Sequence, residues 1–280
     1  MIRAPWLVVA LLALGDSALA QERPWTPLSS PPSQSCPDGL CQPQALAPLF
    51  RALDGRWGGS VRIVQFGDSH TAGQRITAGL ESRLKARFPT RNIRLTPIGV
   101  SGVTLANLIE QRLPVGDEYA DLIILAYGTN EGFDDSLDLV AYETLLRGQI
   151  RRFRDSTPGA AILILGAPEA MRGDGGGNCP GDADGRWRTP PMLAEVRKIQ
   201  HRTAAQMGVA FWDWRGRMGG DCSAQRLTQP GPWGEALMRG DHVHFNEAGA
   251  DWIGGLLYDD LMTAGRAWYA RNPQAVSGGR

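Results

Sequence analysis

Two stretches of this chain, Ile123-Ile124-Leu125 and Ile162-Leu163-Ile164-Leu165, are aliphatic at every position. A strand with one face in water alternates apolar and polar residues. Short unbroken runs are what strands covered on both faces require, as in a parallel sheet. The two stretches lie within Asp121–Gly128 and Ala160–Pro168, and comparable runs recur at Val61–Phe66, Ile93–Val100 and Val209–Trp214. Between them lie helical patterns. Ile76, Leu80, Leu84 and Phe88 recur every four residues, on one face of a helix beginning just after Ser69. Leu193, Val196, Thr203 and Met207 do much the same, and a last helix runs from about Asn246 to Arg266. This alternation predicts right-handed crossovers and a three-layer α/β/α sandwich around a five-stranded, mainly parallel sheet. Ligands in such folds bind at the carboxyl ends of the strands, so chemistry is expected in the loops that follow them.

The ends of the chain read differently. Arg3, the apolar stretch Trp6–Leu14 and Ala18-Leu19-Ala20 have the three-part pattern of a signal peptide over residues 1–20, with cleavage expected after Ala20. The apolar stretch is too short for a spanning helix, although an uncleaved anchor is the competing reading. Residues 21–48 form a Pro/Ser-rich arm without hydrophobic period, expected to act as a tether rather than core. One domain is expected over residues 49–272, with regular structure from about Val61 and a flexible tail at 273–280. No later segment is apolar enough to cross a bilayer, so a soluble periplasmic or secreted protein is expected once the signal is removed. The formal net charge is zero, which argues against a nucleic-acid partner.

Export permits disulfides. Cys36 and Cys41 close a small local loop, whereas Cys179 and Cys222 fall in two glycine-rich loops on the same rim, and these are the expected pairs. Zinc is the alternative use of the cysteines, but no C-x-x-C spacing or nearby histidine pair supports it, and no metal or cofactor is expected.

Four blocks on the predicted rim carry chemistry. Gly67-Asp68-Ser69-His70 follows the first run, Gly99-Val100-Ser101-Gly102-Val103-Thr104 the second, and Gly128-Thr129-Asn130-Glu131 the third. Asp241-His242-Val243-His244-Phe245 lies just before the last helix. Taken alone, G-D-S favours helix capping over catalysis, because Asp and Ser are common N-caps. Together, the blocks supply a hydroxyl at a strand-to-helix turn, a glycine for close approach, a side-chain amide donor, and a carboxylate beside an imidazole. Serine becomes nucleophilic when a base accepts its proton, and the oxyanion that forms needs preorganised donors. There is no G-x-S-x-G elbow, G-x-G-x-x-G or G-K-[ST] motif, which sets aside α/β-hydrolase and nucleotide-binding readings.

In their order and spacing, over Phe66 to Asp260, these blocks resemble those of SGNH/GDSL hydrolases. The resemblance implies a flavodoxin-like SGNH hydrolase fold. It implies Ser69 as nucleophile, and Asp241 and His244 as the rest of a triad. It also implies an oxyanion hole made by the backbones of Ser69 and Gly102 and the side chain of Asn130. His244 has the family's D-x-x-H spacing, whereas His242 is adjacent to Asp241. His70 stands where Leu or Ile is common, either contacting substrate or starting the helix.

The chain looks most similar to periplasmic enzymes that remove acetyl groups from envelope polysaccharides, peptidoglycan O-acetylesterases included. That likeness rests on G-D-S-H-T-A-G, on Phe211-Trp212-Asp213-Trp214 followed by Met218-Gly219-Gly220, and on D-H-V-H-F-N. It implies an O-acetylated glycan or another small acyl ester as substrate. Trp187, Trp214 and Trp233 lie in or beside rim loops, where they either stack on sugar faces or anchor the loops. Hydrolysis of glycan acetyl esters is the expected reaction. An O-acetyltransferase with the same triad, and a general lipase, thioesterase or arylesterase, remain as alternatives.

Overall fold

The computed structural model describes residues 36, 39–54, 59–110, 119–232 and 234–273. The expected signal segment 1–20, the arm as far as residue 35, Trp233 and the tail after residue 273 lie outside the described residues. The sheet contains β1 (Leu40–Cys41), β2 (Ser60–Gly67), β3 (Asn92–Gly99), β4 (Leu122–Ala126), β5 (Ala161–Leu165) and β6 (Ala210–Trp212). Their spatial order is β1-β6-β5-β4-β2-β3. All neighbours are parallel except β1, which runs antiparallel to β6. All five residues of β4 and all five of β5 are buried, because helices cover both faces of the sheet.

Successive residues of those strands feed two separate cores. Leu122, Ile124, Leu163 and Leu165 pack against α1 (Ala47–Asp54), α3 (Arg75–Arg87) and α9 (Glu247–Arg271). Ile123, Leu125, Ile162 and Ile164 pack on the opposite side, against α5 (Leu139–Ser156) and α6 (Pro191–Met207). Each fully buried aliphatic side chain contributes roughly 1.5–3 kcal/mol by leaving water, so the two layers are what hold the sheet between them.

The structure departs from the sequence expectation in three places. First, among the described residues the sheet has six strands rather than five, and its first strand is at Leu40, ahead of the expected start near Val61. The end of the supposed tether supplies β1, a 3-10 turn at Pro43–Leu46 and the start of α1, with Leu40 and Leu46 in the core. A two-residue strand is too short to show a period, and the surrounding prolines disguised it. Second, α5 did not register as a helical pattern, although Asp138 caps it by accepting from Val140 N and Ala141 N, and Tyr142, Leu146, Ile150 and Phe153 form its buried face. Third, the helix after Ser69 is interrupted. A single turn, α2 (Ser69–Ala72), stops before Gln74, whose positive φ resets the chain before α3.

The order of the strands positions the site. After β2 the chain moves to one side for β3, then crosses back to build β4, β5 and β6 on the other. The crevice at this reversal lies between the carboxyl ends of β2 and β4, where open α/β sheets bind ligands. Gly99 lets it form: a Cβ there would come within 2.3 Å of Ala72 N, so only glycine allows α2 to rest on the end of β3.

The long segment after β6 contains α7 (Trp214–Met218) and α8 (Ser223–Leu227). It is joined to the loop after β5 through Cys179 and Cys222, whose sulfurs are 2.00 Å apart. The sulfurs of Cys36 and Cys41 are likewise paired, at 2.11 Å. Among the described residues, no helix is long and apolar enough to cross a membrane.

Candidate active site

Ser69 is the first residue of α2, directly beyond the end of β2. Asp68 caps the turn: its Oδ1 accepts from His70 N at 3.0 Å. The base comes from the other end of the chain. Residues 238–245 fold back on themselves, with Met238 bridged to Phe245 and His244 O accepting from Arg239 N at 2.8 Å. Asp241 Oδ1 accepts from the backbone N–H groups of Val243 and His244, both at 2.9 Å. Its Oδ2 takes a hydrogen bond from His244 Nδ1 at 2.9 Å. That contact fixes the proton on Nδ1 and leaves Nε2 as an acceptor, 2.9 Å from Ser69 Oγ. Partial burial disfavours the charged form of Asp241, but the two backbone donors and His244 outweigh it and hold the carboxyl below its ordinary value. The carboxylate therefore stays ionised opposite the imidazole.

Asn130 is the second residue of the single-turn helix α4 (Thr129–Gly132), which follows β4. Gly128, which precedes it, has φ 123°, and a Cβ there would lie 2.7 Å from Gln200 Nε2. The Asn130 amide donates one proton to Val103 O at 2.7 Å, and a second proton on the same nitrogen remains for a ligand. Gly102 has φ 79° and open space where a side chain would be. Ser69, Gly102, Asn130 and His244 all line one cleft of about 650 Å³. The structure thus brings together the nucleophile candidate, the triad partners and the expected oxyanion donors from β2, the loop after β3, β4 and the segment before α9.

Other expected contacts are redistributed. Trp214 is only 2% exposed; its ring lies against His70 and parallel to Phe245, so it is packing beneath the site and not a sugar platform. Trp187 does not line the cleft; it stacks on His242 at a centroid distance of 3.8 Å. It braces the base loop, where His242 has φ 58° and its carbonyl accepts from Met171 N at 3.0 Å. His70 lines the cleft, yet its ring nitrogens lie 3.2 Å from Asp68 Oδ1 and 3.0 Å from Val243 O, leaving no free polar atom for substrate.

Three residues of the site did not emerge from the sequence. Arg75 and Arg239 line the cleft, and Glu131 lies buried beneath it with Oε1 accepting from Leu105 N at 2.7 Å. Burial pushes the Glu131 carboxyl up to about 7, the backbone donors opposing it and the charge of Asp68 adding to it. The arginines carry no motif, because their role depends on position alone. Glu131 could have been noticed as an acid inside an otherwise uncharged rim block.

A doubly wound parallel sheet with a serine–histidine–aspartate relay at its switch point defines the fold and rim of the SGNH hydrolases. The chain belongs to the GDSL-like Lipase/Acylhydrolase family, whose model matches residues 66–252, and is a carboxylic ester hydrolase. No curated protein matches it. Among solved structures it is similar to a peptidoglycan O-acetylesterase, with TM-score 0.67 and 22% identity over 80% of this chain and 96% of that one. It is also similar to Axe2, an acetylxylan esterase from Geobacillus stearothermophilus, with TM-score 0.55 and 19% identity over 72% of this chain and 95% of that one. LAE5, an enzyme from the metagenome of Lake Arreo, Spain, gives TM-score 0.54 and 20% identity over 75% and 98%. At these identities the likeness establishes the fold.

Proposed function

We propose that this chain is an exported serine esterase that removes short acyl groups, chiefly acetate, from the hydroxyls of a cell-envelope glycan. The observation that carries the reading is the unbroken relay from Asp241 through His244 to Ser69 Oγ at the wall of an open cleft. Ser69 Oγ attacks the ester carbonyl carbon while His244 Nε2 takes the hydroxyl proton. The carbonyl oxygen becomes an oxyanion facing Ser69 N–H, Gly102 N–H and the free Asn130 proton. Collapse of the tetrahedral species breaks the bond to the sugar oxygen, which leaves with the proton from His244. Water then attacks the acyl-serine, giving its proton to His244, and the carboxylic acid departs as Ser69 recovers its proton. Asp241 holds the ring in orientation and balances the imidazolium formed in each half-reaction.

Charge and shape support a glycan bearing a short ester. Arg75, whose guanidinium lies 3.7 Å from the exposed Glu247 carboxylate, and Arg239 line the cleft, and no acidic side chain is among its described lining residues. That balance suits a sugar carrying a carboxylate. The signal-like first twenty residues would deliver the enzyme to such a polymer. The peptidoglycan and xylan acetylesterase neighbours are consistent with the same chemistry.

The test is acetate release from O-acetylated peptidoglycan, beside a series of 4-nitrophenyl esters. A deep acyl channel would add about 0.8 kcal/mol for each methylene it buries. Efficiency is expected to be highest for acetate and to fall sharply by octanoate; a steady rise with chain length would replace this reading with a lipase. Repeating the glycan assay with an added acceptor sugar separates hydrolysis from acetyl transfer.

A further inference from the structure

A second Asp–His pair lies directly behind the first. His70 is 7% exposed, and its Nδ1 faces Asp68 Oδ1 at 3.2 Å while its Nε2 faces the Val243 carbonyl oxygen at 3.0 Å. Asp68 Oδ1 is itself receiving the His70 backbone N–H, and a carbonyl oxygen can only accept. Neutral imidazole has one N–H, so one of these two contacts would set a lone pair against an acceptor. With Asp68 ionised, both are satisfied only when both ring nitrogens carry protons.

We infer that His70 is a buried imidazolium that clamps the nucleophile turn to the base loop, acting as a positioning residue for the esterase reaction. The two residues it joins are sequence neighbours of the reacting pair: Asp68 precedes Ser69, and Val243 precedes His244. Those segments are 173 residues apart along the chain, and the His70 ring bridges them from behind the Ser69–His244 contact. The ring is held edge-on against Trp214, 5.3 Å between centroids, and lies 6.3 Å from Phe245. This packing explains why Trp214 is buried beneath the site.

The charged groups around His70 favour the same state. Asp68 lies on its own turn, Asp241 on the base loop, and the His244 ring 5.4 Å away. Glu131, from α4, acts on this cluster through its interaction with Asp68. Burial opposes a charged ring, but the hydrogen bond and charge of Asp68, the Val243 carbonyl and Asp241 overcome it and raise His70 above 6.5. The clamp is thus intact below pH 6.5 and is released as pH rises through the elevated value, which gives activity an alkaline limb.

The inference rests on Ser69 and His244 being nucleophile and base, so one arm of the test is independent of catalysis. Nitrogen NMR on uniformly labelled full-length protein, with His70→Leu used to assign the signals, should show both His70 ring nitrogens protonated below pH 6.5, one losing its proton only as pH rises above that value. An unprotonated nitrogen in that ring below pH 6.5 overturns the proposal, whatever Ser69 does. In kinetics, His70→Leu should lower kcat roughly 10–100-fold with KM nearly unchanged, as a misplacement of the reacting pair would, and should lose the alkaline limb. Asp68→Asn, which keeps an acceptor oxygen but not the charge, should fold and move that limb to lower pH. A limb unmoved in Asp68→Asn overturns the clamp even if His70→Leu fails to fold. Should Ser69→Ala retain activity, the triad reading fails while the state of the His70 ring is still decided by NMR.

Discussion

At the scale of single residues, the carboxyl of Glu131 is the least comfortable group near the site. It holds its proton to about 7 in the folded chain, whereas its ordinary value is 4.5. Between those values the folded state binds more protons than the unfolded chain, so stability falls as pH rises through this window. A displacement of that size corresponds to roughly 3 kcal/mol at most. Glu131→Gln keeps an acceptor for Leu105 N without the charge. It is expected to be more stable than the parent by about 1–3 kcal/mol at pH 8, part of the gain being lost to an unmatched amide. Urea unfolding should show that gap closing towards pH 5. On the neighbouring Asn130, truncation to alanine removes a donor used only as the oxyanion develops. Asn130→Ala should lower kcat about 100–1,000-fold with little change in KM, and an effect confined to KM would exclude that role. Ser69→Ala should fold normally and lose on the order of a millionfold in turnover, together with fluorophosphonate labelling.

Those residues were legible because rim chemistry is written in short local blocks. Ser69, Asn130 and the D-x-x-H pair stand out by type and spacing, and the structure brings them into hydrogen-bonding or cleft contact. What stayed hidden is whatever depends on an unshared neighbour. The role of His70 follows only once Val243, at the far end of the chain, is seen beside it. The burial of Trp214 could not be told from the exposure of a sugar platform, since a tryptophan in a rim segment serves either purpose.

Among the elements, the same contrast holds. Strands β4 and β5 announced themselves by continuous aliphatic sequence, and α3, α6 and α9 by a repeating apolar face. β1 and α1 did not, because a two-residue strand has no period and α1 follows a proline-rich stretch. Yet α1 is structural. Phe50 is 1% exposed, packs 6.1 Å from the Trp268 ring and gives its carbonyl to the Tyr269 hydroxyl, tying α1 to α9. Phe50→Ala should therefore cost about 3–5 kcal/mol, the range for a buried phenylalanine. A urea midpoint unchanged by this substitution would show that α1 contributes nothing to the core.

Across the whole molecule, the long loops after β5 and β6 are joined by Cys179–Cys222, with a sequence separation of 43 residues. The first of these loops carries Trp187 and Met171, which hold the His242 backbone and ring. Reducing the pair, or replacing both cysteines by serine, should lower stability by about 2–4 kcal/mol. Activity should fall further than stability alone explains, because the base loop loses its brace. Peptide mass mapping without reductant should recover the two cysteines in one linked fragment.

The distance along the chain between Ser69 and His244, 175 residues, has a consequence in time. A ribosome that has finished the serine turn must still make β3 to β6 before the histidine exists. Until then there is no nucleophile next to its base, so the relay is a product of the nearly complete chain and of no shorter one.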